Sequence, residues 1–139
     1  MILDCTCFRV RRLSRQISQL YDEALRPVGL RVTQYSLMSA LRNEGPMTVS
    51  ALAEGLGADS TSMSRALAAL EAQGWVVVGP GADKRSKSVD LSASGRQKLV
   101  EAEPFWATAQ QRIADSLGSD GQDELDRRLD ALFRRLSTS

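Results

Sequence analysis

Residues 48–91, TVSALAEGLGADSTSMSRALAALEAQGWVVVGPGADKRSKSVDL, constrain the fold more than any other part of the chain. Thr48 is placed to cap a short helix, VSALAEGLG, which Gly57 ends. Asp59 can cap the next helix, which runs to Gln73 and is stopped by Gly74. Two short helices joined by a tight glycine-bearing turn form a helix-turn-helix. The runs WVVVG and SVDL then read as the two strands of a β-hairpin, with GADKRSK at its tip. A charge run such as Lys84, Arg85 and Lys87 is ordinarily a solvated loop. Here it sits on a hairpin that directly follows a recognition-type helix, so the arrangement predicts a winged helix whose basic tip is the wing.

The flanks are helical. From Phe8 to Arg26 the apolar residues Leu13, Ile17, Leu20 and Ala24 recur at the period of an amphipathic helix, and RPVGL ends it. Thr33 can cap a second helix to about Asn43, with Leu37, Met38 and Leu41 inward and NEGP as its break. Ser92 and Ser94 precede a long helical stretch to Leu117, in which Pro104 predicts a kink. GSDGQDE breaks that stretch, and a last helix carries Leu125, Leu129, Leu132 and Leu136 at heptad-like spacing. The expected fold is mainly α with a small β-hairpin wing. One domain spans 1–139, with a winged helix-turn-helix at 31–91 between dimerisation helices at 1–30 and 92–139. The outer stripes could complete a monomer core. The homodimer is favoured, because DNA readers of this kind work as two-fold pairs.

Composition bears on what such a fold can do. The chain has 139 residues and no histidine, which removes the commonest metal ligand and general base. No glycine-rich phosphate loop appears, so the chain is not expected to be an enzyme, and no metal or cofactor is expected. Two cysteines, Cys5 and Cys7, are too few and too close for a disulfide framework. No apolar run is long enough to span a bilayer, and MILDCTCFRVRR lacks the order of a signal peptide, so a cytoplasmic protein without a membrane partner is expected. The net charge is only +1, and residues 27–91 hold six cations and six anions. Binding to DNA must therefore rest on local placement of charge rather than on a basic total.

The string DKRSKSVDLSASG resembles the wing signature of the MarR (multiple antibiotic resistance) family of transcriptional regulators. The matching positions are Asp83, Arg85, Val89, Leu91, Ser92 and Gly95, with serine at Ser92 where threonine is usual. LRPVGLRVTQYSLMSAL, TVSALAEGLGAD and SMSRALAALEAQGWV are similar to the family as well, so the resemblance covers nearly the whole chain. It implies a homodimeric repressor of pseudo-palindromic double-stranded DNA operators, relieved by a small-molecule inducer or an oxidant.

On a helical wheel Met63, Ala66, Leu67 and Leu70 turn to the core, while Thr61, Arg65 and Ala68 turn outward with Ser62 and Ser64 on the flanks. Short side chains allow close approach to the major groove. The hydroxyls from Ser60 to Ser64 suit phosphate oxygens, and Arg65 suits guanine O6 and N7. Helix-start chemistry alone also accounts for the serines, but not for the outward Arg65. Arg85 suits a narrow minor groove, with Lys84 and Lys87 on phosphates. The resemblance gives Asp83 an orienting role toward Arg85 or Arg65.

Two sensing arrangements are open. Asp4 can cap the first helix, placing Cys5 and Cys7 in its first turn near Arg9 and Arg11, where the helix dipole favours a thiolate. On that helix the thiols would point about 200° apart and could not bridge. The plainer reading makes them small buried hydrophobes. An inducer pocket between the winged unit and the dimer helices would draw on Arg12, Tyr21, Tyr35 and Trp106. The alternative functions are a cysteine-based redox or thiophilic-metal sensor, and a winged-helix module that binds protein rather than DNA.

Overall fold

The computed structural model describes residues 4–83 and 85–138. In chain order the elements are α1 (Thr6–Leu25), a 3-10 turn (Arg26–Val28), α2 (Val32–Glu44), β1 (Met47–Thr48), α3 (Val49–Leu56) and α4 (Ser60–Ala72). The chain continues with β2 (Val76–Pro80), β3 (Lys87–Leu91), α5 (Ala93–Leu117) and α6 (Ser119–Ser137). The three strands form an antiparallel sheet in the order β1-β3-β2, with Val76 opposite Leu91 and Val78 opposite Val89. β1 is two residues long and pairs Met47 with Val89 and Thr48 with Ser88. It lies within the stretch expected to be a break followed by a cap, too short to carry a strand pattern of its own.

The core forms where these elements converge. Leu25, Met38, Leu41, Leu52, Leu70, Val89 and Leu99 are essentially inaccessible to solvent, and they come from α1, α2, α3, α4, β3 and α5. Burying each such side chain stabilises the fold by roughly 1.5–3 kcal/mol before entropy is subtracted. Met63, Leu67 and Leu70 face this core from α4, as their spacing predicts, with Ala66 half-buried beside them. No helix among the described residues is long and apolar enough to cross a membrane.

Several helix ends follow local chemistry. Thr48 Oγ1 accepts from the Ala51 N–H at 3.0 Å, and Gly57 closes α3 in the left-handed region at φ 67°. Other ends differ from the sequence reading. Thr33 lies inside α2, which begins one residue earlier. Its N-terminus is capped instead by Asp22 of α1, whose Oδ1 accepts from the Val32 N–H at 2.7 Å. α6 begins at Ser119, so the break expected over seven residues is Gly118 alone, at φ 78°. Asp120 then sits in the first turn and Arg134 and Arg135 in the last, each favourable to the helix dipole. α5 runs as one helix through Pro104.

The outer helices are less well covered. Tyr21 and Leu25 of α1 are buried, but Phe8, Val10 and Leu13 are exposed. α6 has no buried residue; Leu125 is half-buried, while Leu129, Leu132, Phe133 and Leu136 are exposed. The two stripes therefore do not complete a core within one chain.

Candidate nucleic-acid interface

The start of α4 is built by Asp59. Its Oδ1 accepts from the Ser62 N–H at 2.8 Å and its Oδ2 from the Ser62 hydroxyl at 2.9 Å. The backbone bond from Ser62, and then the hydroxyl bond, hold the Asp59 carboxyl below the usual carboxylate range. The Ser62 hydroxyl is thus committed to the cap as a donor, which its sequence position alone did not reveal. Ser60, Thr61, Ser64, Arg65 and Ala68 are all exposed on the outer face of α4. Among the described residues no carboxylate pairs with Arg65, so its guanidinium is available to a ligand.

The wing follows after Gly74, at φ 78°, and Trp75. Its tip is closed by Gly81 N–H to the Ser86 carbonyl and Ser86 N–H to the Asp83 carbonyl, each at 3.0 Å. The Ser86 hydroxyl also donates to the Asp83 carbonyl, at 3.0 Å. A Cβ on Gly81 would meet the Ser86 hydroxyl and force it to shift. Asp83 Oδ1 accepts from the backbone N–H of Arg85 at 3.2 Å. It pairs with no guanidinium among the described residues, so it organises Arg85 through the main chain, as an Asx turn does. Arg85 and Lys87 are exposed; Lys84 lies outside the described residues. Ser86 was not among the expected site residues, since a serine beside a cation has no distinctive pattern.

The base of the wing is a tight node. The Ser92 hydroxyl donates to the Gly74 carbonyl at 2.6 Å and accepts from the Gly95 N–H at 3.0 Å, capping α5 while tying it to the end of α4. Ser92 N–H bonds the Trp75 carbonyl at 3.0 Å. Gly95 is buried, and a Cβ there would collide with that same carbonyl oxygen. Lys98 lies 5.6 Å from the Trp75 ring centroid. With Val89 and Leu91 buried in the core, each of the six matching positions, Asp83, Arg85, Val89, Leu91, Ser92 and Gly95, has a structural part. Asp83 and Arg85 shape the tip, Val89 and Leu91 anchor β3, and Ser92 and Gly95 seat the wing on α5.

The sensing candidates are dispersed. Cys5 is the extended residue before α1, at φ −147°, half-buried and without a side-chain cap, and Cys7 is exposed in the first turn. Neither is a buried hydrophobe within the chain. Because Cys5 is outside the helix, the expected 200° separation does not apply. Asp4 makes no cap; it faces Arg9 at 4.0 Å. Tyr35 and Trp106 do come together, stacked with ring centroids 5.6 Å apart in a groove between α2 and α5. Arg42 and Glu103 pair at its rim at 2.5 Å, and the Ser39 hydroxyl beneath it is shielded from solvent with no hydrogen-bond partner among the described residues. Arg12 is exposed on α1 and does not line this groove. Tyr21 is buried and donates its hydroxyl to Gln110 on α5. Burial, and then the Asp126 charge, push its phenol above the usual range.

This architecture matches known proteins in detail. The MarR family model matches residues 28–86. An uncharacterized HTH-type transcriptional regulator of Bacillus subtilis, YwoH, is 30% identical over 126 residues, covering 91% of this chain and 89% of its own. The M. tuberculosis transcriptional regulator MosR, solved in complex with DNA, superposes with a TM-score of 0.87 at 35% identity, covering 97% of this chain and 98% of that one. A cysteine-to-serine variant of MarR from E. coli, complexed with operator DNA, shares the fold at a TM-score of 0.80 and 22% identity, over 88% and 89% of the two chains. With its winged helix, its wing signature and these relatives, the chain belongs to the MarR family of DNA-binding transcriptional regulators and is not an enzyme.

Proposed function

We propose that the chain acts in the cytoplasm as a homodimeric repressor of a pseudo-palindromic operator, with 31–91 reading DNA and 1–30 and 92–139 building the dimer. The observation that carries this is the pairing of two exposed features. The outer face of α4 and the wing tip present Arg65, Arg85 and Lys87 to solvent, while α6 leaves Leu129, Leu132 and Phe133 exposed. In this reading Ser60, Thr61 and Ser64 take phosphate oxygens, Ala68 permits close approach, and Ser62 holds the helix start. Arg65 reads a guanine edge, and Arg85 enters a minor groove with Lys84 and Lys87 on flanking phosphates. A protein-binding module has no need of outward cations on both helix and wing. The test is titration of Arg65→Ala and Arg85→Ala against a panel of duplexes at several salt concentrations. Arg65→Ala should flatten the preference among sequences, and Arg85→Ala should weaken binding to all of them. Unchanged affinity in both variants overturns the reading.

Repression is relieved, in this reading, by a flat aromatic inducer in the α2–α5 groove. The half-exposed Trp106 ring, backed by the stacked Tyr35, and the Arg42–Glu103 pair at the rim favour such a ligand. Benzoate should release wild type from operator DNA but not Trp106→Ala. The exposure of Cys7 and partial exposure of Cys5 favour a second trigger, thiol oxidation or capture. Peroxide or arsenite should then weaken wild-type binding and leave the Cys5→Ser, Cys7→Ser double variant unaffected. Equal response of the two proteins removes the cysteines from the account.

A further inference from the structure

We infer that Asp22 is a positioning residue that sets the spacing between the two recognition helices. This rests on the homodimer proposed above. The N-terminus of α2 has an unusual cap. Gln34 Oε1 reaches back to accept from the Arg31 N–H at 3.0 Å, and the Asp22 carboxylate arrives from α1, ten residues earlier, to take the next N–H. Its Oδ1 takes the Val32 N–H at 2.7 Å, and its Oδ2 faces Arg31 at 3.6 Å. The Asp22 side chain is only 26% exposed, so the bond is partly shielded from water. A carboxylate is the favoured group at a helix N-terminus, where backbone donors and the helix dipole converge.

Chain geometry makes this bond an elbow clamp. Between Asp22 and Val32 the chain finishes α1, makes the 3-10 turn at Arg26–Val28 and reverses at Gly29, at φ 71°. Leu25, Val28 and Leu30 pack this elbow into the core, and the Asp22 bond adds a directional constraint that selects among the angles such packing allows. The far end of α2 is fixed separately, where Arg42 pairs with Glu103 of α5. α2 contributes Tyr35, Leu37, Met38 and Leu41 to the core that carries α3, α4 and the sheet. Its angle to α1, together with its packing on α5, therefore sets how the reading unit sits on the dimer helices. In a two-fold reader that angle fixes the distance between half-sites, which must match one helical turn of DNA.

The test measures binding to duplexes whose two half-sites, taken from DNA selected by the wild-type protein, are moved apart or together by two base pairs. Wild type should lose roughly tenfold or more in affinity on either change, since the second half-site turns out of reach. Asp22→Ala should bind all spacings within about threefold of one another, while Asp22→Asn, which keeps an acceptor for the Val32 N–H, should retain the wild-type preference. Arg31→Ala should retain it too. A merely structural loss lowers the active fraction equally for every spacing and leaves the ratio unchanged. If Asp22→Ala is too unstable to assay, Asp22→Glu, with its carboxylate one methylene too far out, carries the same prediction. A wild-type preference kept in full by Asp22→Ala, or by Asp22→Glu in its place, overturns the inference about Asp22. A wild type indifferent to spacing overturns the dimer reading on which it rests.

Discussion

The reading unit and the outer helices bury their apolar residues very differently. In the winged unit α2, α3, α4, β2 and β3 turn nearly all of their large apolar side chains into one core, with Leu56 and Val77 the exposed exceptions. Of the eleven exposed large hydrophobics among the described residues, eight lie on the flanking helices: Phe8, Val10 and Leu13 on α1, Leu117 at the end of α5, and Leu129, Leu132, Phe133 and Leu136 on α6, where the Phe133 ring also lies near Gly57. Such clustering, unlike singly scattered apolar residues, marks a surface meant to be covered. The contrast teaches that the reading unit is complete within one chain and the outer helices are not. In the homodimer proposed above, a second copy bringing the same stripe covers it.

The sharpest way to break this contrast is to charge the outer stripe. Leu129→Asp together with Leu132→Asp places unpaired charge where the dimer is to close, at about 3–5 kcal/mol for each uncompensated buried group. Sedimentation should show a monomer and operator binding should be lost. Far-ultraviolet circular dichroism should remain close to wild type, since the reading unit keeps its own core. A variant that stays dimeric would place the interface elsewhere.

Truncating the inner core should do the converse. Leu70 is fully buried, and Leu70→Ala should cost about 2–5 kcal/mol of stability through lost burial and a cavity. The loss is read by denaturant unfolding and should appear in the monomeric charged variant as well. A loss confined to the dimer would mean that the reading unit depends on its partner.

Within the reading unit the contrast between helix and wing is smaller. Arg65→Ala should cost roughly 1–3 kcal/mol of discrimination between preferred and altered duplexes. Arg85→Ala should lower the salt slope by about one unit with little change in sequence preference. Competition titrations at several salt concentrations separate the two outcomes, and an identical profile for both variants would erase the division of labour.

The smallest expected effect concerns pH. Asp59 is bonded as a carboxylate, and its folded value lies below its unfolded one. Its contribution is therefore complete above the unfolded value, near 3.8, and is lost as pH falls through the lower folded value. Acid titration of helix signal should show a step below the ordinary carboxylate range in wild type that is missing in Asp59→Asn. The same step in both proteins would assign it to another group.

The parts of the fold legible in the sequence are those held by neighbours in sequence. Thr48, Asp59 and Ser92 each bond a backbone N–H three residues on, so the starts of α3, α4 and α5 are written locally. The inward face of α4 follows from its period, and the two longer strands from their β-branched runs. What escaped is held from a distance or is too short to show a pattern. The cap of α2 comes from Asp22 on another helix, and Thr33, a good cap by type, is helical instead. β1 exists only because β3 lies beside it. The α5–α6 break needs a single glycine in the left-handed region, so the polar run after it misleads. At the site, exposure of Arg65 and Arg85 was readable from wheel and hairpin. That Asp83 grips a main-chain N–H rather than a guanidinium was not, because the choice depends on how the tip closes.

The most direct test of the whole account is to sequence the DNA that the purified wild-type protein retains from a pool of random duplexes. Two exposed α4 faces held by one two-fold interface should enrich a pseudo-palindrome whose half-sites lie about one helical turn apart, ~10–10.5 base pairs centre to centre. Enrichment of a single unrepeated half-site, or of no sequence at all, would contradict it.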